Sequence, residues 1–161
     1  SEERQNLGMT GLMSVKDNIN MAIMDKNSKY LILDKLKDMQ NASDLQEKLN
    51  IKVSYWSQLA QSLSGGNQQK IVIAKWLSTT PEILILDEPT KGIDVKSKSA
   101  VHEFMGKLVD SGTSIIMISS ELPEIMGMCD RVVVMYKGLI KKILDVTSTS
   151  SEEIVKLASG E

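Results

Sequence analysis

Two adjacent carboxylic acids, Asp87 and Glu88, directly follow the uninterrupted apolar run at residues 83–86 and precede Pro89. Such a run predicts a parallel strand buried on both faces, and open α/β sheets bind ligands at the carboxyl ends of their strands. If the strand geometry persists through both acids, their side chains point to opposite faces. One acid can then serve a metal ion while the other addresses a water molecule. A solvated or helix-capping pair of acids is the alternative.

A second group of residues suited to phosphate lies upstream. Ser64, Gly65 and Gly66 precede a segment of helical periodicity at residues 67–77. Serine is a favoured N-cap residue, and two glycines leave the backbone uncovered. The free N–H groups at a helix N-terminus attract anions, phosphate above all. An ordinary glycine turn that caps a surface helix is the alternative, and the glycines alone do not exclude it.

Three motifs occur in a fixed order: LSGGNQQK at residues 63–70, ILILDE at residues 83–88 and KGID at residues 91–94. They resemble the signature motif, the Walker B motif with its following glutamate, and the D-loop of ABC-type ATPases. Asn67 replaces the more common glutamine, and GNQQK with DEPTKGID is similar to ATPases of galactose-, ribose- and xylose-type importers. The resemblance implies an α/β fold, a partial P-loop NTPase (ABC ATPase) core with a mostly parallel sheet flanked by helices, plus a helical subdomain.

The resemblance also implies ATP and Mg²⁺ as cofactors and gives roles to individual residues. Asp87 would hold the magnesium ion through a water ligand, and Glu88 would polarise the attacking water. The signature residues would act in trans, on ATP held by the opposite nucleotide-binding domain, and the D-loop would lie at the closing interface. The positions implied in nucleotide contact are Ser64, Gly65, Gly66, Asn67, Gln68, Asp94, Ser120 and Glu2.

Two positions depart from the pattern of most ABC domains. Glu2 stands where a glutamine is usual, which argues against direct magnesium contact there. Ser120 takes the place of a histidine, and a serine hydroxyl is too short to span to a γ-phosphate and cannot carry an imidazolium charge. We therefore expect the composite site that uses Asp87 and Glu88 to hydrolyse slowly or to serve regulation. The site completed by this chain's signature motif would be the competent one.

The sequence contains no GxxxxGK[ST] phosphate-binding loop. We therefore expect the chain to be the carboxyl-terminal part of the second nucleotide-binding domain of a longer polypeptide, and to bind ATP weakly without turnover by itself. The motifs divide it into two parts. Residues 1–80 would form the end of the Q-loop and the helical subdomain through the signature helix, and residues 81–161 the Walker B and D-loop part of the core with a terminal hairpin and helix.

Composition narrows the class of protein. The chain has 161 residues, 42% of them hydrophobic and 25% charged, which is ordinary for one soluble globular domain. A net charge of −2 gives no basic field for nucleic acid. The single cysteine, Cys129, excludes an internal disulfide and is expected to be a small buried hydrophobe. With no apolar run of membrane-spanning length and no signal peptide, membrane association is expected to come through a partner.

Local patterns predict most elements of secondary structure. The predicted elements are a helix at 15–24 capped by Ser14, a helix at 30–49 with a possible break at 41–43, the amphipathic helix Val95–Asp110 with Asp94 as N-cap, a buried strand at 114–119, a helix at 121–128, the strand Arg131–Tyr136 in a hairpin with 139–144, and a last helix to residue 158 opened by a Ser150–Glu153 capping box. His102 is expected at the surface of its helix, next to an apolar stripe that includes Leu108 and Val109.

The resemblance implies transmembrane permease subunits and a second nucleotide-binding domain as partners, and a sugar-binding protein indirectly, at the cytoplasmic face of the membrane. The methionines at 9, 13, 21 and 24 are either core filling or part of a groove for a permease coupling helix. The alternatives are an ABC ATPase of the DNA-repair or chromosome-structure kind, a soluble ABC translation factor, and a merely folded piece whose uncovered sheet edge favours dimerisation. No sustained heptads support the first, and GNQQK with Ser120 argues against the second.

Overall fold

The computed structural model describes residues 8–29 and 32–160, and the chain divides into two compact units. The first unit extends to Ile116 and the second begins at Met117. This boundary follows the packing of the backbone. The division at residue 80 follows the motifs and remains a prediction about function.

The first unit contains most of the helices. Its elements are α1 (Val15–Asn20), a 3-10 turn (Met21–Ile23), β1 (Ser28–Lys29), β2 (Ile32–Leu33), α2 (Lys35–Leu49), a second 3-10 turn (Ala60–Ser62), α3 (Gly65–Leu77), β3 (Ile83–Asp87), α4 (Val95–Asp110) and β4 (Ser114–Ile118), whose last two residues belong to the second unit. Strands β1 and β2 pair antiparallel, and β3 and β4 are neighbours in a second sheet.

Helix α3 lies at the centre of the first unit, in contact with α1, α2 and α4. Its Ile71 is fully buried, as are Val15 and Ile19 of α1 and Ile51 after α2. Helix α4 adds Val101, which is 1% exposed. These apolar side chains recur at helical spacing, so removing them from water holds the helices together.

A buried asparagine fixes the entry into α1. The side-chain oxygen of Asn18 accepts from Thr10 N–H at 2.7 Å, and its nitrogen donates to the carbonyl oxygens of Thr10, Met13 and Ser14 at 2.9, 3.3 and 3.0 Å. Asn18 is fully buried, and these bonds satisfy both ends of its amide. The preceding turn is therefore set by a polar side chain that apolar periodicity does not reveal.

Several helices begin or end at residues other than those predicted from the sequence. Helix α1 stops at Asn20 and continues as a 3-10 turn instead of reaching residue 24. Helix α2 begins at Lys35, because the Asp34 carboxylate caps it by accepting from Leu36 and Lys37 N–H, and it runs unbroken through residues 41–43. Helix α3 begins at Gly65, directly after the predicted N-cap Ser64.

The expectation that β3 and β4 are buried on both faces is wrong. Along β3, Leu84 and Leu86 are buried, whereas Ile83 and Ile85 are 60% and 64% exposed. Ile116 and Ile118 on β4 are also more than half exposed. Within the described residues only one face of β3 is covered, so the alternation of the strand leaves every second residue, including both isoleucines, in solvent. Val109 of the predicted α4 stripe is likewise exposed, because it lies in the last turn of its helix.

The second unit is a hairpin with two helices. Its elements are α5 (Leu122–Met128), β5 (Arg131–Tyr136), β6 (Leu139–Asp145), a 3-10 turn (Val146–Ser148) and α6 (Ser151–Ser159). Strands β5 and β6 pair antiparallel around Lys137 and Gly138, both at positive φ as a type I′ turn requires. Val132, Val134, Leu144 and Ile154 form its core.

The capping box predicted at Ser150 and Glu153 forms only one of its two hydrogen bonds. The Ser150 hydroxyl accepts from Glu153 N–H, as a capping box requires. The Glu153 carboxylate does not turn back to Ser150; it binds Lys142 Nζ at 2.8 Å and Thr149 Oγ1 at 2.8 Å.

Cys129 is half-buried, and its burial, followed by the charges of Asp130 and Glu124, raises the pKa of the thiol.

The predicted methionine cluster does not share one environment. Met9 is buried and Met24 is 43% exposed, with Met13 and Met21 between them, so core filling and an adaptable groove both remain predictions. His102 is half-buried on α4. Within residues 8–29 and 32–160, no helix combines the length and the apolar character needed to cross a lipid bilayer.

Truncation of matched isoleucines tests where the core of the first unit lies. Ile71→Ala should lower the free energy of unfolding by about 2–5 kcal/mol, because it leaves a cavity in the α3 contact. Ile85→Ala removes the same atoms from an exposed position and should cost less than about 0.5 kcal/mol. Urea unfolding of both variants measures the difference. Equal losses would show that the exposed face of β3 is covered in solution.

Candidate functional site

The N-terminal end of α3 has the geometry of an anion-binding turn. Ser64 lies at the N-cap with extended backbone, and the first intrahelical bond runs from Gln68 N–H to the Ser64 carbonyl oxygen at 2.9 Å. The N–H groups of residues 65–67 precede that bond, and Ser64 and Gly65 are exposed. The side chain of Ser64 makes no capping bond; its hydroxyl accepts instead from Asn67 Nδ2 at 3.1 Å.

The two glycines have different surroundings, so the expectation that both leave the backbone uncovered is wrong for Gly66. A Cβ atom on Gly65 would meet only the Gly92 carbonyl oxygen, at 3.8 Å, which is ordinary contact. A Cβ atom on Gly66 would overlap the side chain of Ser97, lying 2.7 Å from its Cβ. Gly66 is buried, and Gly65 alone offers open backbone.

Asn67 and Gln68 hold the turn at residues 64–66, called the signature turn below, in place. Asn67 Oδ1 accepts from Lys52 N–H at 3.0 Å while its nitrogen donates to Ser64, so the side chain bridges two segments. The buried Gln68 donates from Nε2 to the carbonyl oxygens of Gln61 and Leu63, at 3.2 and 2.9 Å. Both side chains thus stabilise the loop before α3, and their contact with nucleotide remains a prediction.

The strand-end acids lie at a change of backbone direction. Asp87 is the last residue of β3 and is exposed, whereas Glu88 has φ 48° in the left-handed region. The strand geometry therefore does not persist through both acids. A turn follows, in which Lys91 N–H donates to the Glu88 carbonyl oxygen at 3.3 Å and the next two residues, Pro89 and Thr90, are buried. This anchored turn fixes where the acids are presented.

The donor set fits a magnesium ion that keeps most of its water. Asp87 presents an exposed carboxylate, and the described residues contain no group of three His, Cys, Asp or Glu side chains that could enclose a metal. Magnesium is commonly bound through one or two carboxylates, waters and substrate phosphates, so a single exposed carboxylate at a strand end is compatible with it.

Asp94 caps α4, as predicted. Its Oδ1 accepts from Ser97 N–H at 3.0 Å, and its Oδ2 accepts from Ser97 Oγ at 2.7 Å. These two bonds, the side-chain one foremost, lower the pKa of the Asp94 carboxyl. Because Ser97 also faces Gly66, the first unit brings the signature turn and the D-loop together.

Two other predicted positions lie outside the described residues of the first unit. Ser120 belongs to the second unit and is exposed. It follows Ser119, whose hydroxyl donates to Glu124 Oε2 at 2.5 Å and accepts from Glu121 N–H at 3.0 Å. Glu2 lies outside the described residues.

Sequence reasoning missed the polar residues that support the turn. Lys75 Nζ donates to the Gly8 carbonyl oxygen at 2.5 Å and Lys70 Nζ to the Asn50 carbonyl oxygen at 3.0 Å, and burial lowers the pKa of both amines. Ser97 did carry a signal, since it stands three residues after Asp94, the spacing of a capping pair. The lysines carried none, because lysine at a helical position normally indicates a solvated face.

Comparison with known proteins agrees with the motifs and the geometry. The sequence profile of the ABC transporter family matches residues 3–91, more than half of the chain. The chain belongs to the ABC transporter family. It is 43% identical over 160 residues to the ribose import ATP-binding protein RbsA of Bacillus cereus and 45% identical over 160 residues to the xylose import ATP-binding protein XylG of Thermoanaerobacter pseudethanolicus.

These matches include 99% of this ABC transporter chain but 32% of each relative, so the chain spans about a third of their length. Solved structures show the fold. A metal-chelate type ABC transporter in an inward-facing conformation superposes with a TM-score of 0.79 at 20% identity, over 92% of this chain and 59% of that one. The dimeric cassette MJ0796 bound to ADP and Pi gives 0.73 at 18% identity, over 86% and 59%. The fold is therefore that of part of an ABC ATPase cassette.

The bridging role of Asn67 can be tested by two substitutions. Asn67→Ala removes the bonds to Lys52 and Ser64 and should lower the free energy of unfolding by about 1–2 kcal/mol. Asn67→Asp keeps an acceptor for Lys52 N–H, can accept from the Ser64 hydroxyl, and adds a favourable charge at the N-terminus of α3, so it should cost less than half as much. Urea unfolding of the two variants and the parent chain measures both losses in the free energy of unfolding. An aspartate variant as unstable as the alanine variant contradicts the bridge.

Proposed function

We propose that this chain is part of the ATP-hydrolysing subunit that drives import of a monosaccharide. The observation that carries the proposal is the placement of Asp87, exposed at the carboxyl end of β3, directly before the left-handed Glu88. Ligand sites of open α/β sheets lie at this end of the strands. The identity of 43–45% to ribose and xylose import ATP-binding proteins gives the substrate class.

The proposed chemistry assigns different tasks to the two acids. Asp87 holds Mg²⁺ through a water ligand, and that ion would neutralise charge on the β- and γ-phosphates when it is bound. Glu88 accepts a hydrogen bond from the attacking water and orients it toward the γ-phosphorus. The left-handed backbone at Glu88 turns its side chain away from the regular alternation of β3, which lets it reach a water that does not belong to the metal.

The signature turn acts on a second nucleotide. Its exposed Ser64 and Gly65 present free backbone N–H groups at the positive end of α3, which suits the γ-phosphate of ATP held by the opposite nucleotide-binding domain. The side chains of Asn67 and Gln68 hold that turn through hydrogen bonds. Gly66 packs against Ser97, which is bonded to Asp94 of the D-loop. Closure of the two domains on the nucleotide completes each site and moves the attached membrane subunits.

The two composite sites are proposed to be unequal. Ser120 occupies the position of the usual histidine, so the site that uses Asp87 and Glu88 lacks a group that can span to the γ-phosphate. We propose that this site turns over slowly and that the site completed by this chain's signature turn is the competent one. Glu2 is proposed to contact the nucleotide site without binding magnesium directly.

The partners follow from the transport role. Permease subunits at the cytoplasmic face of the membrane would receive the movement of the nucleotide-binding domains, and a sugar-binding protein would deliver the sugar to those subunits. The longer relatives contain the remaining two thirds of such a subunit.

The asymmetry of the sites can be tested in the full-length protein with its permease. Glu88→Gln should leave about half or more of the ATP turnover, because it inactivates only the slow site. Gly65→Asp should lower turnover by about 100-fold or more, because it puts a carboxylate against the γ-phosphate of the competent site. A Cβ at this position would lie 3.8 Å from the Gly92 carbonyl oxygen, which is ordinary contact, and an acid at a helix N-terminus does not disfavour folding.

Steady-state phosphate release with saturating Mg-ATP measures both effects. Glu82→Gln, an exposed acid one residue before β3, is the matched control and should leave turnover within about 20% of the parent protein. Loss of all turnover in Glu88→Gln would contradict the asymmetry, and full activity in Gly65→Asp would contradict the role of the signature turn.

A further inference from the structure

The second glycine of the signature turn is packed against the chain's own D-loop helix. An added Cβ at Gly66 would overlap Ser97 Oγ and come within 2.7 Å of Ser97 Cβ. Real Cβ atoms essentially never approach another heavy atom this closely. Ser97 Cβ is attached directly to the first turn of α4 and cannot rotate away, so relief would require the backbone of α3 or α4 to move.

The side chain of Ser97 is itself held in one position. Its hydroxyl donates to Asp94 Oδ2 at 2.7 Å, and its N–H donates to Asp94 Oδ1 at 3.0 Å, so one carboxylate fixes both groups. The same Oδ2 would lie 3.9 Å from a Cβ at Gly66. A residue of the D-loop, a residue of α4 and the signature glycine therefore form one continuous contact within a single chain.

Two constraints can fix a glycine in this turn: close approach of a ligand to the backbone, or close approach of another part of the protein. Gly65 is exposed and meets nothing nearer than 3.8 Å, so its bare backbone is left for a ligand. Gly66 is buried by Ser97. Gly65 thus leaves room for a ligand, and Gly66 leaves room for another part of the same chain.

We propose that Ser97, held by Asp94, is a positioning residue that sets the signature turn through Gly66, so that a displacement of the D-loop is passed to the signature turn of the same chain. Ser97 is not a catalytic residue, since it acts through Gly66. The contact itself stands on the structure alone, and its consequence for ATP turnover rests on the proposed function.

Steric rescue in the full-length protein tests the contact without nucleotide. Gly66→Ala should raise amide exchange at residues 68–71, the first N–H groups of α3 that make intrahelical bonds, by about 10-fold or more, because α3 is pushed away from α4. Gly66→Ala combined with Ser97→Gly should lower that exchange by at least about threefold relative to Gly66→Ala alone, because room for the methyl group is restored. Gly66→Ala combined with Ser99→Gly is the matched control, since Ser99 bonds only to Val95 within α4 and should give no rescue.

A second variant serves if Gly66→Ala does not fold. Ser97→Ala keeps the Cβ contact but removes the hydroxyl bond to Asp94, so exchange should rise by about threefold or more at both residues 92–97 and residues 68–71. In the assembled transporter the same variant should lower kcat by about threefold or more while changing KM for ATP by less than about twofold, because the turn acts after closure.

The outcomes separate the contact from the catalytic proposal. If Ser97→Gly fails to rescue Gly66→Ala, or if Ser97→Ala loosens residues 92–97 alone, the positioning role of Ser97 is wrong while the proposed function stands. If the exchange results hold but Gly65→Asp leaves turnover intact, the contact is correct and the proposed function is wrong. If KM and not kcat changes in Ser97→Ala, the transmission to the signature turn is wrong.

Discussion

Burial of helix α3 on nearly every side is the constraint on which the first unit depends. Even its polar residues Gln68, Lys70 and Lys75 are buried, and burying a polar group costs free energy unless it finds a hydrogen-bond partner. Both lysine ammonium groups and the Gln68 amide reach carbonyl oxygens of segments outside the helix. The helix that presents the signature turn is therefore tied to residues after α2 and to Gly8 at the start of the described chain, which fixes the direction of its N-terminus.

The strand-end acids depend on a different arrangement. The side of β3 that carries Asp87 also carries Ile83 and Ile85, all three exposed, while Leu84 and Leu86 anchor the other side. A carboxylate in the proposed role of metal ligand must stay accessible, and the alternation of the strand gives Asp87 the same exposure as the two isoleucines. The turn at Glu88, with Pro89 and Thr90 buried behind it, then holds the second acid without requiring a longer strand.

Features set by neighbours in sequence could be predicted, and features set by distant packing could not. Ser14, Asp94 and Ser150 each cap a helix because their oxygens reach an N–H three residues ahead, and Lys137-Gly138 forms its turn from local backbone preference. The positions of the acid pair and the glycine turn could be predicted because each belongs to a recognisable motif. The exposure of Ile85, the burial of Lys75 and the left-handed Glu88 were missed, because each depends on which surfaces meet after folding.

The signature turn shows how a motif can satisfy two requirements with one residue type. An anion site needs open N–H groups, and Gly65 supplies them because nothing in its own chain approaches closely. A site that is proposed to act on another domain also needs a fixed direction, and Gly66 supplies it because its lack of a Cβ leaves room for the side chain of Ser97. In sequence the two glycines are equivalent. In the fold, the backbone of the first stays open for the proposed phosphate contact, and the second packs against Ser97, which Asp94 holds. This contact gives the proposed route by which a loop downstream of β3 influences the turn that α3 presents.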